Sequence, residues 1–296
     1  MSNFFRAILV QPLFNLLFII YALIPGNDFG VALILFTIAI RLLMWPLLKK
    51  QLHQQKAMRE LQPEIAKIKQ RAKGDKQKEA QAMMELYKEK EINPLGSLGV
   101  VFLQLPILLA LFYMLREVVN DHGSIEHLSY SLTASLDAVK EIIANPGTFH
   151  PSLLGVVDLS KHALDNGVIY WPAVPFILLA GIGQFVQSRQ ITTTSRDRKN
   201  LRQLLRDAQD GKEVSQAEQQ AAMTSSMTYF FPVLTIVIGL SFPAALSLYW
   251  AASSFVAVIQ QRLILGQDLK EMAAVEVKTS VKKPKKSSKN KRKAGK

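Results

Sequence analysis

Residues 30–50 of this 296-residue chain are apolar except for Thr37, Arg41 and a closing pair, Lys49 and Lys50. No other stretch limits the fold as strongly. About 20 apolar residues in one helix match the hydrocarbon thickness of a bilayer. Trp45 and the two lysines match a membrane–water boundary. Arg41 stands inside that helix, where a charge costs roughly 3 kcal/mol on insertion scales and about 10 or more on an isolated helix. Two readings fit it: a side chain snorkelling to the nearer surface, or a polar site inside a bundle. Helical side chains lean toward the N-terminus, so Arg41 leans away from the Lys49 end, which favours the second. Thr37 lies one turn earlier on the same face.

Apolar blocks of this kind alternate with basic ones, and the two cancel in a mean hydropathy of +0.14. There are 36 Lys and Arg against 23 Asp and Glu, and no cysteine. Disulfides, thiolate catalysis and cysteine-bound metals are excluded. His53, His122, His127, His150 and His162 form no ligand pair at helical spacing, so neither metal nor cofactor is expected.

The order of blocks predicts an all-α polytopic membrane protein: a five-helix transmembrane bundle with a cytoplasmic helical hairpin and an N-terminal interfacial helix. Residues 1–27 are apolar but interrupted by Arg6, Gln11, Pro12 and Asn15, and read as a helix on the outer surface, with a sixth span as the alternative. The five spans are residues 28–48, 94–115, 169–187, 227–242 and 243–265. Residues 49–93 carry 12 basic and 7 acidic side chains and form a helical hairpin with its break at Gly74-Asp75. One run holds Leu52, Lys56, Arg59, Pro63, Ile65 and Ile68, and the other Ala80, Met83, Met84 and Tyr87. Residues 116–168 hold 3 basic and 7 acidic side chains. This loop is expected outside, with a short helix near residues 135–144 and an apolar patch over residues 153–159. Residues 188–226 and the tail, 266–296, are basic and fall on the cytoplasmic side, leaving the N-terminus outside and the C-terminus inside. The tail is expected to be disordered. Its Lys282, Lys283, Lys285, Lys286, Lys289, Lys291, Arg292 and Lys293 suit anionic lipid or RNA.

The chemistry open to such a bundle is narrow. Apart from Asp28 at the outer edge of the first, no Asp, Glu or His lies inside the five spans, which removes proton relays and intramembrane proteolysis. No phosphate-binding glycine loop is present. What remains is Arg41 with inward amides and hydroxyls. Gln104 needs a partner, either a polar cavity or an interhelical hydrogen bond. Gln184 and Gln187 sit toward the inner end of the third span. Ser247, Trp250 and Ser254 share a face of the fifth. A wet, positive cavity of this kind suits a transient guest, an acidic stretch of another polypeptide. Rival readings are a small anion channel or transporter, and a ribosome-tethering assembly scaffold.

Several motifs, in order, resemble the YidC-type membrane protein insertases of the oxidase-assembly and thylakoid insertase superfamily. They are Thr37 and Arg41 followed by Pro46-Leu47; Leu61-Gln62-Pro63; Met83-Met84-Glu85-Leu86-Tyr87; Asn93-Pro94-Leu95-Gly96; Gln104-Leu105-Pro106; and Phe242-Pro243-Ala244 leading to Leu248-Tyr249-Trp250 and Gln260-Gln261. The resemblance implies five spans around a hydrophilic groove open to cytoplasm and lipid. Arg41, Thr37 and Gln104 would line it, and Trp250 would meet substrates. The hairpin, with Arg59, Pro63, Met83, Met84 and Tyr87, would serve recruitment. Implied partners are nascent membrane proteins, the ribosome, the Sec translocon and targeting-receptor components, at a bacterial plasma membrane and without enzymatic turnover. The sequence departs from the family at Val100, where proline is frequent, and at Pro243-Ala244-Ala245, where a glycine is usual.

Overall fold

The computed structural model describes residues 3–72, 74–91, 99–120, 123–191, 206 and 229–281. The protein is mostly α-helical. Helix α1 spans Asn3–Leu23 and includes one π turn, Arg6–Val10. Pro12 has no N–H to offer, and just ahead of it the Gln11 N–H reaches back five residues to Arg6 O. The polar residues that interrupt the apolar pattern therefore leave the helix unbroken, and it is long and apolar enough to cross a membrane.

Helix α2, Phe29–Leu43, starts at Asp28, whose Oδ1 accepts the Val31 N–H at 2.8 Å. It ends one residue short of α3, Trp45–Glu60, which leaves it at 58°. The 28–48 span is thus bent at Met44. Pro46 is the cause: it cannot bond to the Leu42 carbonyl and its ring crowds that turn. A second break separates α3 from α4, Gln62–Ala72, at Leu61. The single run expected up to Gly74 is two helices, because Pro63 repeats the same defect. After the Asp75 cap comes α5, Lys76–Glu89. The Asp75 carboxyl is held below its ordinary value by the Lys78 backbone N–H, the Lys78 side chain and the Gln77 N–H. Helices α4 and α5 run antiparallel, bury Leu61, Ile65 and Leu86 between them, and pair Lys90 with Glu64 and Lys69 with Glu79 at the rim.

Helix α6, Gly99–Asn120, contains Pro106. A cap then folds from residues 123–173. It holds three short helices, α7 Ser124–Leu128, α8 Ser131–Ala134 and α9 Asp137–Ala144, the last where the sequence places one. Two antiparallel hairpins follow, β1 Ser152–Leu153 with β2 Val157–Asp158, and β3 Leu164–Asp165 with β4 Val168–Ile169. Leu154 and Val156 project from the first hairpin tip, while Leu159 is buried. Helix α10 is Val174–Ile191, α11 is Tyr229–Leu240, and α12 runs without interruption over Ala244–Val281. The tail expected to be disordered from 266 begins as helix, since residues 267–281 hold neither glycine nor proline and are rich in helix formers. Asn93-Pro94, expected to start the second span, most of 188–226 and the lysine-rich end lie outside the described residues.

Helix α12 is the axis of the bundle, packing on α10 and then on α2. Close approach to α10 depends on Gly183: a Cβ there would stand 2.6 Å from the Ser254 Cβ. The cap satisfies the buried start of α12, whose first N–H groups have no partner within the helix. Lys161 O accepts from the Ala244 N–H at 2.8 Å, and Leu159 O from that of Ala245 at 2.9 Å. Asp28 Oδ2 also accepts the Leu154 N–H, which ties the first hairpin to α2. Phe18, Tyr21, Phe29 and Phe149 join α1, α2 and the cap in one aromatic cluster.

Asn15 locks α1 to the cap. Buried, it donates to Leu128 O at 2.9 Å and Gln11 O at 2.7 Å, and accepts the Tyr130 N–H at 2.7 Å. Asn15→Leu keeps the volume but strands a carbonyl and an N–H, at about 1–3 kcal/mol each. Thermal unfolding in detergent should show a clear drop in Tm for Asn15→Leu, while Gln11→Leu stays close to the parent.

Candidate functional site: an arginine between two helices

Arg41 lies in the last turn of α2, and its guanidinium turns toward α12. Nε and Nη2 both donate to Ser253 Oγ, at 2.9 and 2.6 Å. Gln260, two turns further along α12, donates through Nε2 to the Arg41 carbonyl at 2.9 Å. Ser253 and Gln260 are buried, while Arg41 is half-buried. Among the described residues no carboxylate pairs with Arg41. The cation is neither dry nor free in water: one neutral hydroxyl occupies two of its five donors, and the Gln260 Oε1 nearby has no partner of its own. A guanidinium held this way keeps donors for a further acceptor, a carboxylate above all.

Thr37 sits one turn before Arg41, but its hydroxyl donates to Leu33 O of its own helix at 2.6 Å and the side chain is buried. The other inward polar groups gather elsewhere. Thr235 of α11 donates to Gln184 Oε1 at 2.6 Å. Gln187 Nε2 reaches Gly183 O and Ser254 O at 3.4 Å, and Ser254 packs on Gly183. Ser247 is buried with its Oγ 3.5 Å from Gly239 O. These five side chains lie in the contacts of α10, α11 and α12. Trp250 meets Phe242 edge-on at 5.7 Å, and Phe242 meets Phe112 of α6 at 5.5 Å. The structure therefore brings Arg41 together with Ser253, which the sequence reading did not single out, and with Gln260, which it named only within the Gln260-Gln261 motif. Their signal was present: Ser253, Ala257, Gln260 and Ile264 recur at i, i+4, i+7 and i+11 and all are buried. The side chains of Gln104 and Arg59, and residues Lys282, Lys283, Lys285, Lys286, Lys289, Lys291, Arg292 and Lys293, lie outside what is described.

In the hairpin, Met83 and Tyr87 pack on its small core, and burial raises the Tyr87 hydroxyl above its ordinary pKa. Pro63 and Met84 face outward.

The bundle's outer faces carry Leu35, Leu42, Leu105, Leu109, Leu178, Leu179, Ile182, Phe255, Ile259 and Leu263, all exposed. Side chains of this type in continuous stripes belong against lipid, not water. Among the described residues two helices, α1 and the first part of α12, are long and apolar enough to cross a membrane, and the bent pair α2–α3 makes a third. The class is a helical membrane protein with a cation enclosed between spans.

The sequence pattern of the 60Kd inner membrane protein family matches residues 19–271. The chain is 32% identical over 259 residues to the membrane protein insertase YidC of Tolumonas auensis, covering 88% of this chain and 36% of that protein. It is 31% identical over 256 residues to that of Shewanella halifaxensis, covering 86% and 36%. The chain belongs to this family, the YidC family, and spans about a third of the length of these relatives.

Truncating the hydroxyl tests how far Arg41 depends on it. Ser253→Ala removes both charged hydrogen bonds, worth about 1.5–3 kcal/mol together with the desolvated cation left behind. Thermal unfolding should register that loss, and Ser254→Ala, which leaves Arg41 untouched, should not.

Proposed function

We propose that this chain is a membrane protein insertase: it receives segments of nascent membrane proteins beside Arg41 and releases their apolar stretches into lipid. One observation carries the reading, the half-buried guanidinium that donates to a neutral hydroxyl, Ser253 Oγ. A charge moved into hydrocarbon costs several kcal/mol. An acidic tail of the guest would meet a cation and water instead. Its apolar segment leaves along the outward faces of the second and fourth spans, where burying about 20 apolar residues supplies the driving force. No bond is made or broken and no nucleotide is consumed. Family membership supports the reading, since the relatives bear the name insertase.

In this proposal five spans enclose a groove containing Arg41, Thr37, Gln104, Gln184, Gln187, Ser247, Trp250 and Ser254. Arg41 takes the guest's acid, and Trp250 and the amides contact its backbone or side chains. The acidic cap lies outside and the basic hairpin and tail lie in the cytoplasm, as the distribution of Lys and Arg favours. Ribosomes, the Sec translocon, targeting receptors and anionic lipids are the proposed partners of that basic side, with Arg59, Pro63, Met83, Met84, Tyr87 and the terminal lysines as contacts.

The test combines crosslinking and insertion. Photoreactive residues at positions 37, 41, 104, 250 and 253 should each capture a stalled single-span client, and one at exposed position 179 should not. In proteoliposomes Arg41→Ala should slow insertion of an acidic-tailed client by about tenfold, equivalent to roughly 1.4 kcal/mol, and spare a client with a neutral tail. Equal insertion of both clients by Arg41→Ala overturns the role of the arginine. Ion flux without cargo, together with no crosslinks, favours a channel.

A further inference from the structure

A second polar site lies away from Arg41. Near its N-terminus α1 borders a cavity of about 440 Å³ lined by Asn3, Arg6, Ala7, Gln11 and His127. Asn3, Ala7 and Gln11 form a stripe at i, i+4, i+8 along the helix, and His127 enters from α7 of the cap. Among the described residues no carboxylate lines the cavity. Arg6 Nε is shut off from solvent and makes no hydrogen bond, and no ion pair to Arg6 is found among the described residues. That nitrogen is closed off and is not the atom that meets a ligand; Arg6 as a residue lines the cavity, and a guanidinium without an ion pair leaves its charge for an acceptor there. An imidazole and two carboxamides complete a set of neutral donors around it.

Beside this stripe runs a second, apolar one. Phe4 is 74% exposed and Ile8 53% exposed, one position on from Asn3 and Ala7. A polar donor cluster flanked by exposed apolar side chains on a helix that meets the requirements of a span is the arrangement that a lipid fits, head in the cavity and chain along the helix. The volume suits a small anionic headgroup.

We propose that this cavity binds the phosphodiester of an anionic phospholipid, with Arg6 as the charged ligand, Gln11, Asn3 and His127 as neutral donors, and Phe4 and Ile8 against the acyl chain. The same donors would accept a free phosphate, and the apolar stripe separates the two sources. The proposal is independent of the insertase reading, because none of these residues belongs to the Arg41 site.

The experiment uses the full chain purified in a neutral detergent, with lipid retention followed by native mass spectrometry. Phosphatidylglycerol should be retained over phosphatidylcholine. Arg6→Gln should weaken that retention by about tenfold, the equivalent of one charged hydrogen bond, with Tm unchanged. Arg6→Lys should restore part of it if the charge matters and the fold is intact. Phe4→Ser with Ile8→Ser should reduce phosphatidylglycerol retention and leave binding of inorganic phosphate unaltered. Equal phosphatidylglycerol retention by the parent and Arg6→Gln overturns the site. Phosphate binding that depends on Arg6 without any preference for phosphatidylglycerol overturns the lipid as its occupant.

Discussion

A guanidinium cannot rest among apolar side chains without acceptors, and the chain offers Arg41 only sparing ones. Ser253 Oγ receives two of its N–H groups, and Gln260 reaches the Arg41 backbone. Both partners come from α12, so the position of α12 against α2 determines whether the charge can exist there at all. The bend at Met44 has a related effect. It carries α3 away just beyond Arg41, so the arginine sits at the elbow of a broken helix and not in the middle of a straight one.

The placement of α12 depends in turn on how its start is capped and how closely α10 packs along it. At its start the cap lends the carbonyls of Lys161 and Leu159 to N–H groups that have no partner within the helix. Along its length Gly183 lets α10 come within reach of Ser254. The cap itself is held by Asn15 and Asp28, one on each of the first two helices. A chain of ordinary hydrogen bonds therefore runs from α1 through the cap to α12 and ends at Arg41. The hairpin of α4 and α5 has a small core of its own and stands apart from this chain.

The comparison with the sequence is informative where it fails. The two breaks at Met44 and Leu61 were written in Pro46 and Pro63, yet length and hydropathy alone suggested longer elements. Asn15 and Pro12 looked like interruptions of an apolar segment. In the structure the first is a fully bonded buried amide and the second is absorbed by a π turn. Ser253 was passed over for Ser254, one residue away and 100° around the helix. Ser254 was chosen because it shares a face with Ser247 and Trp250, but the face turned to Arg41 is the one of Ser253, Ala257 and Gln260, and the first turns of α12, buried on every side, do not tell the two apart.

The amino-acid sequence by itself determined the main helices, their apolar stripes, the split between an acidic loop and basic segments, and the presence of Arg41 inside an apolar helix. These follow from local composition and from the period of the α-helix. Tertiary structure alone decided which hydroxyl meets that cation, how the cap closes over α12, and which glutamines serve as interhelical ties. Those outcomes depend on contacts between residues as far apart in the chain as Arg41 and Ser253, and no local pattern encodes the rotation of one helix against another.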